Sequence, residues 1–105
     1  MNYTDQVTLY LKSGDMGSKS EPECARSLCI STTTLQRRLR REGTTWRALL
    51  EQEKRGRMTA LLARNPHADS YRLAEAGGFS KQNSVRRKFR HLFGMTITDY
   101  KRMQA

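Results

Sequence analysis

Apolar residues recur along this chain at spacings of three and four rather than two. Val7, Tyr10 and Leu11 form one set and Leu35 and Leu39 a second. Leu49, Leu50, Met58, Leu61 and Leu62 form a third, and Val85 and Phe89 a fourth. A period near 3.6 residues is that of an amphipathic helix, whereas a half-buried strand alternates every second residue. Valine and isoleucine are sparse as well, and the pattern predicts an all-α fold.

Polar punctuation cuts that pattern into helices. Thr4 is placed to cap a short first helix, and Gly14, Gly17 and the nearby serines read as a flexible connection. "SEPE" at 20–23 has the form of a capping box, Ser20 accepting from first-turn amides and Glu23 reaching back. The helix it starts should run from Glu21 to about Ser27. Ser31 caps the next, which ends near Gly43. Thr44 or Thr45 caps a long helix, spanning ~27 Å from Trp46 to Ala63 at 1.5 Å per residue. Asn65-Pro66 stops it, because proline lacks the amide hydrogen and restricts the residue before it. Asp69 or Ser70 caps a helix carrying Leu73 and Ala74, ended by Gly77-Gly78. Ser80 caps a helix that stops at Gly94. Thr96, with Asp99 three residues later, caps a last one carrying Tyr100. Trp46, Tyr71, Phe93 and Tyr100 are expected in the core.

A repeat emerges from this punctuation. Ala25, Cys29-Ile30, Leu35 and Arg37-Arg38-Leu39 in one half correspond to Ala74, Gly78-Phe79, Val85 and Arg87-Lys88-Phe89 in the other. Each unit is a short helix, a tight turn and a second helix that is basic on its outer face, which describes a helix-turn-helix. Ala25 and Ala74 are the small residues that let the two helices cross closely. Ile30 and Phe79 plug the turns, and the Leu35/Leu39 and Val85/Phe89 pairs hold the second helices down.

Charge then suggests a partner. Lys and Arg number 20 against 10 for Asp and Glu, a net charge of +10 with a pI near 10.3. The excess is not evenly mixed: residues 31–41 and 81–91 hold basic residues and no acidic ones. Segregated positive charge on two helices points to a polyanion, and nucleic acid before any other. No apolar run approaches the ~20 residues a membrane span requires, and the N-terminus lacks the charged-then-apolar signal pattern. The chain reads as soluble and cytoplasmic.

Little chemistry competes with binding. No nucleophile–base pair, metal cluster or Gly-rich phosphate loop is present, so neither an enzyme, a metal site nor a cofactor is expected. Cys24 and Cys29 lack two further ligands for zinc. They read as small buried apolar side chains in a reducing compartment.

With two units and a long helix between them, "LAEAGGFSKQNSVRRKFRHLFG" followed by "MTITDYKR" resembles the second helix-turn-helix and closing segment of the AraC/XylS family of bacterial transcription regulators. "ISTTTLQRRLRREGTTWRALL" is similar to that family's first unit and the start of its linker. The resemblance covers about residues 20–102 and implies two helix-turn-helix subdomains joined by one linker helix. The first unit is set at 21–42, the linker at 45–64 and the second unit at 69–93. Residues 1–19 are left as a short helix and connection. Cys29 stands where the family usually has glycine, which implies a tighter or strained first turn. Ile97 stands where it usually has proline. The family's N-terminal sensing or dimerisation domain is not expected within this chain. The resemblance implies double-stranded DNA as ligand, RNA polymerase as a further partner, and a transcription regulator, an activator, that inserts two helices into adjacent major grooves.

With Leu35 and Leu39 inward, Thr33, Gln36, Arg37 and Arg40 lie on the outward face of the first basic helix. Glutamine can pair with adenine, arginine with guanine, and a threonine methyl can meet thymine. By resemblance Thr33, Gln36 and Arg37 fall on base-reading positions. Gln82, Asn83, Arg86 and Arg87 form the matching set in the second unit. Ser31, Thr32, Arg38, Arg41, Lys81, Ser84, Lys88 and Arg90 suit phosphates, which position a protein without reading sequence. Two other readings compete: a non-specific nucleic-acid binder and a protein-interaction module of a larger regulator. RNA binders commonly present aromatic stacking platforms, and neither basic helix carries an outward aromatic residue.

Overall fold

A computed structural model describes residues 2–79 and 82–104, with backbone only for Gln82, Asn83, Ser84 and Gln104. Regular structure among the described residues is helical throughout. In chain order it comprises α1 (Tyr3–Lys12), a 3-10 turn (Met16–Ser18), α2 (Glu21–Ser27), α3 (Thr32–Arg41), α4 (Trp46–Arg64), α5 (Ser70–Gly77), α6 (Gln82–Phe93) and α7 (Ile97–Gln104). The chain divides into two compact units, Met1–Glu53 and Lys54–Ala105.

The first unit closes around Val7, Leu11, Met16, Cys24, Ala25, Leu35, Leu39 and Leu49, with Trp46 and Tyr10 packed against them. Asn2, not Thr4, caps α1, its Oδ1 accepting from the Asp5 N–H at 2.8 Å. Thr4 lies inside the first turn, and Glu42 receives its N–H at 2.7 Å and its hydroxyl at 2.6 Å. Glu42 also accepts from the Tyr3 N–H at 3.0 Å. The amides that open α1 are thus satisfied from the far end of α3, where local sequence could not show it. The segment after α1 differs from the flexible connection expected. Its 3-10 turn carries Met16 into the core at 3% exposure, and Asp15 caps it through the Gly17 N–H. A lone methionine among glycine and serine has no periodicity to announce it.

Half of the expected capping box forms at α2. Ser20 Oγ accepts from the Glu23 N–H, but the Glu23 carboxylate turns forward to Arg26 at 3.2 Å instead of back. Thr45, rather than Thr44, caps α4, accepting from the Ala48 N–H at 3.1 Å. The helix ends at Arg64, immediately before Asn65-Pro66.

In the second unit Met58, Leu62, Ala68, Leu73, Ala74, Val85 and Phe89 form the core. Asp69 caps α5 through the Arg72 N–H at 2.9 Å, and Gly78 ends it in the left-handed region. Thr96 caps α7 through the Asp99 N–H. Phe93 and Tyr100 pack against this core as expected. Tyr71 does not: it is 66% exposed. It lies two positions, about 200°, from the buried Leu73 on α5, so its place on the helix outweighs its residue type. The cap expected at Ser80 falls outside the described residues.

Candidate nucleic-acid interface

The turn between α2 and α3 sets the first basic helix. Leu28 N–H bonds back to Ala25, Cys29 N–H to Arg26 and Ile30 N–H to Ala25 at 3.1 Å. Closing a helix this way needs one residue in the left-handed region, and Cys29 supplies it with φ 61°. The strain expected from a cysteine at this place is therefore present as backbone geometry. That conformation also turns Cys29 outward: it is exposed, not a buried apolar residue as the sequence suggested, whereas Cys24 is buried. Burial pushes the Cys24 thiol up to about 11, with the Glu21 charge adding to it, so Cys24 stays protonated near neutrality.

Ser31 then caps α3. Its Oγ accepts from the Thr34 N–H at 3.1 Å and donates to the Thr34 hydroxyl at 2.8 Å. Leu35 and Leu39 are wholly buried, which fixes the rotation of the helix. Thr33, Gln36, Arg37 and Arg40 are consequently exposed together, and with Arg41 they line an open depression of about 440 Å³. Ser31 is exposed and Thr32 half-buried at the start of the helix. Arg38 faces elsewhere: its guanidinium lies 5.7 Å from the centre of the Tyr3 ring, against α1.

The second unit repeats the plan. Phe79 N–H reaches Ala74 O at 2.8 Å, Gly78 N–H reaches Glu75 O at 3.2 Å, and Gly78 has φ 71°. Val85 and Phe89 are wholly buried, leaving Arg86, Arg87, Lys88 and Arg90 exposed. Gln82, Asn83 and Ser84 occupy the first turn of α6, and their side chains lie outside the described residues, as does Lys81 altogether. The sequence did not reveal two cations on the flank of this unit. Lys54 Nζ sits 4.4 Å from the centre of the Phe79 ring, and Arg55 sits 5.3 Å from that of Phe93. Nor did it reveal Glu21, whose Oε1 accepts from Gln36 Nε2 at 3.2 Å. An acidic residue fifteen positions away gives no local signal of such a contact.

Among the described residues no group of three or more His, Cys, Asp or Glu side chains could hold a metal ion. None of the helices described is long and apolar enough to cross a membrane.

A family model described as a helix-turn-helix domain matches residues 24–103. The HTH-type transcriptional regulator VirS of Mycobacterium tuberculosis is 35% identical over 85 residues, 81% of this chain and 25% of that protein. The chain thus spans about a quarter of the length of the curated relatives it matches. Among solved structures, the transcriptional regulator CdpR from Pseudomonas aeruginosa superposes with a TM-score of 0.85 at 30% identity, covering 95% of this chain and 31% of that one. A DNA-binding transcriptional dual regulator from Escherichia coli K-12 gives 0.83 at 23% identity, covering 98% of both chains. The C-terminal domain of AraT, a response regulator from Geobacillus stearothermophilus, gives 0.86 at 19%, covering 98% of this chain and 86% of that one. The last two are similarities of fold.

Proposed function

The chain belongs to the AraC-type helix-turn-helix family of transcription regulators, and from that premise we propose that it is a sequence-specific DNA-binding module of a bacterial activator. The observation that carries this reading is the face of α3. Thr33, Gln36, Arg37 and Arg40 share one exposed side, the opposite side is buried through Leu35 and Leu39, and no acidic residue intervenes between 31 and 41. Side chains that can pair with base edges are thereby gathered on a helix held rigidly from behind.

In the proposed complex α3 enters one major groove through Thr33, Gln36, Arg37 and Arg40. The start of α6 enters the next through Gln82, Asn83, Arg86 and Arg87. Ser31, Thr32, Lys81, Ser84 and Arg90 hold phosphates, with Arg41 and Lys88 beside them. Two dissimilar reading faces imply an asymmetric site of ~16–20 base pairs, about one helical turn between its two clusters of preference. RNA polymerase is the further partner, and the cytoplasm is the setting.

Selection of bound DNA from a random library tests the reading, combined with a salt titration. One monomer should recover an asymmetric motif. Log affinity should fall against log salt with a slope of −0.9 for each of roughly 5–8 phosphates neutralised. Arg37→Ala should cost about 1–3 kcal/mol and relax preference at particular base pairs, while Arg90→Ala should weaken all sequences alike. A flat salt dependence would remove nucleic acid as the ligand. A steep one without sequence preference would leave a non-specific binder.

A further inference from the structure

One side-chain hydrogen bond orients Gln36. Its Nε2 donates to Glu21 Oε1 at 3.2 Å. Glu21 opens α2 and, with Gln36, Arg40, Thr45, Trp46 and Arg47, borders a cleft of about 210 Å³. A carboxylate only accepts hydrogen bonds, so it settles which end of the amide faces it. The nitrogen must, because an amide oxygen there would meet a like charge.

An amide nitrogen carries two hydrogens. One is committed to Glu21, and the other remains beside Oε1 as a donor–acceptor pair. That pair is the one glutamine uses against adenine, donating to N7 and accepting from N6 in the major groove. An unrestrained glutamine can turn its amide over, and the reversed pair fits other base edges. Resting on the base-reading role proposed above, we infer that Glu21 is a positioning residue: it locks the Gln36 carboxamide in the adenine-reading sense and so sets preference at one position of the site. Glu21 acts through Gln36 and reads no base itself.

A negative charge beside a DNA-binding face also weakens attraction to every phosphate nearby, whatever the sequence. The test must separate these two effects. Library selection is run on the unaltered chain and on Glu21→Gln, Glu23→Ala and Gln36→Ala. Glutamine at 21 keeps the size of the side chain, removes its charge and can both donate and accept, so it no longer dictates the sense of its partner. Glu23 lies on the same turn of α2 and pairs with Arg26, not with Gln36, so its loss controls for charge alone.

The unaltered chain should prefer adenine at one position, and Gln36→Ala should abolish that preference. Glu21→Gln should reduce discrimination there on the order of 3- to 10-fold, the scale of ordering one long side chain. Glu23→Ala should leave it unchanged. The inference is overturned if Glu21→Gln keeps the adenine preference, if Glu23→Ala relaxes it equally, or if Gln36 governs a position that prefers another base. A Gln36→Ala variant selecting the same motif as the unaltered chain would instead overturn the base-reading role on which the inference rests.

Discussion

Ile30 N–H reaches back to Ala25 O at 3.1 Å, and Phe79 N–H reaches back to Ala74 O at 2.8 Å. The two helix-turn-helix units close their turns with the same bond, each around one residue in the left-handed region, Cys29 at φ 61° and Gly78 at φ 71°. The side chains around that backbone are different. In the first unit Leu28 precedes the left-handed residue and Ile30 plugs the turn. In the second those places hold Gly77 and Phe79. Two branched aliphatic side chains of equal size have been exchanged for none beside an aromatic plug. What the two units share is the backbone path, closed by the same bond around a left-handed residue, not the identity of any one side chain.

The supports of the second helices differ in the same spirit. α3 is braced by α1, through Val7, Leu11 and the hydrogen bonds to Glu42. α6 is braced by α7, through rings: Phe89 stacks on Phe93 with centroids 4.1 Å apart, and Tyr100 meets both edge-on at 5.7 and 5.3 Å. The largest expected effect breaks the aromatic brace. Phe89→Ala should cost roughly 3–5 kcal/mol and Leu39→Ala, its counterpart, about 2–5. Amide hydrogen exchange should show loss of protection concentrated in the unit that carries the substitution. Unchanged circular-dichroism melts for Phe89→Ala would mean that α6 does not bury this face.

The turns can be tested against each other next. A Cβ on Gly77 would meet Phe79 Cε2 at 2.6 Å, so Gly77→Ala must displace the plug of its own turn. It should cost about 1–3 kcal/mol, the range for overpacking. At the left-handed position the expectation reverses. Cys29→Gly should stabilise the first unit by roughly 1 kcal/mol, because a non-glycine residue there crowds its Cβ against the backbone. Denaturant melts that rank these two substitutions the other way would show that the turns are not equivalent.

Much of this was legible because helix ends carry chemical signals. Asn65-Pro66, Gly77-Gly78 and Gly94 each mark an end, and the paired apolar residues four apart fixed the faces of α3 and α6. The outward residues of α3 follow from that rotation alone. What stayed hidden depends on contacts between segments distant in sequence. Glu42 reaches α1 across 38 positions and Glu21 reaches Gln36 across 15, and neither has a local signature. Tyr71 and Cys29 were misplaced for another reason. Their residue types suggest burial, but a position opposite Leu73 and a left-handed turn decide otherwise.

The smallest expected effect separates the two braces by pH. The Glu42 carboxyl is held below its ordinary value near 4.5, chiefly by the Thr4 hydroxyl and then by the Thr4 and Tyr3 amides, with Arg38 adding attraction. The folded state therefore favours ionised Glu42 more than the unfolded chain does. Its contribution is fully present above the ordinary glutamate range and is lost as pH falls through the lowered value. Loosening of α1 should begin only below about pH 4.5, leaving the range from 5 to 8 flat for this contact. The aromatic brace of α6 has no carboxylate to protonate. Hydrogen exchange between pH 6 and pH 3.5, corrected for intrinsic rates, should show α1 losing protection before α7. Glu42→Gln, which cannot ionise, should remove that acid step while leaving the acid response of α7 unchanged. If α1 and α7 lost protection together in both proteins, Glu42 would have no special hold on the first unit.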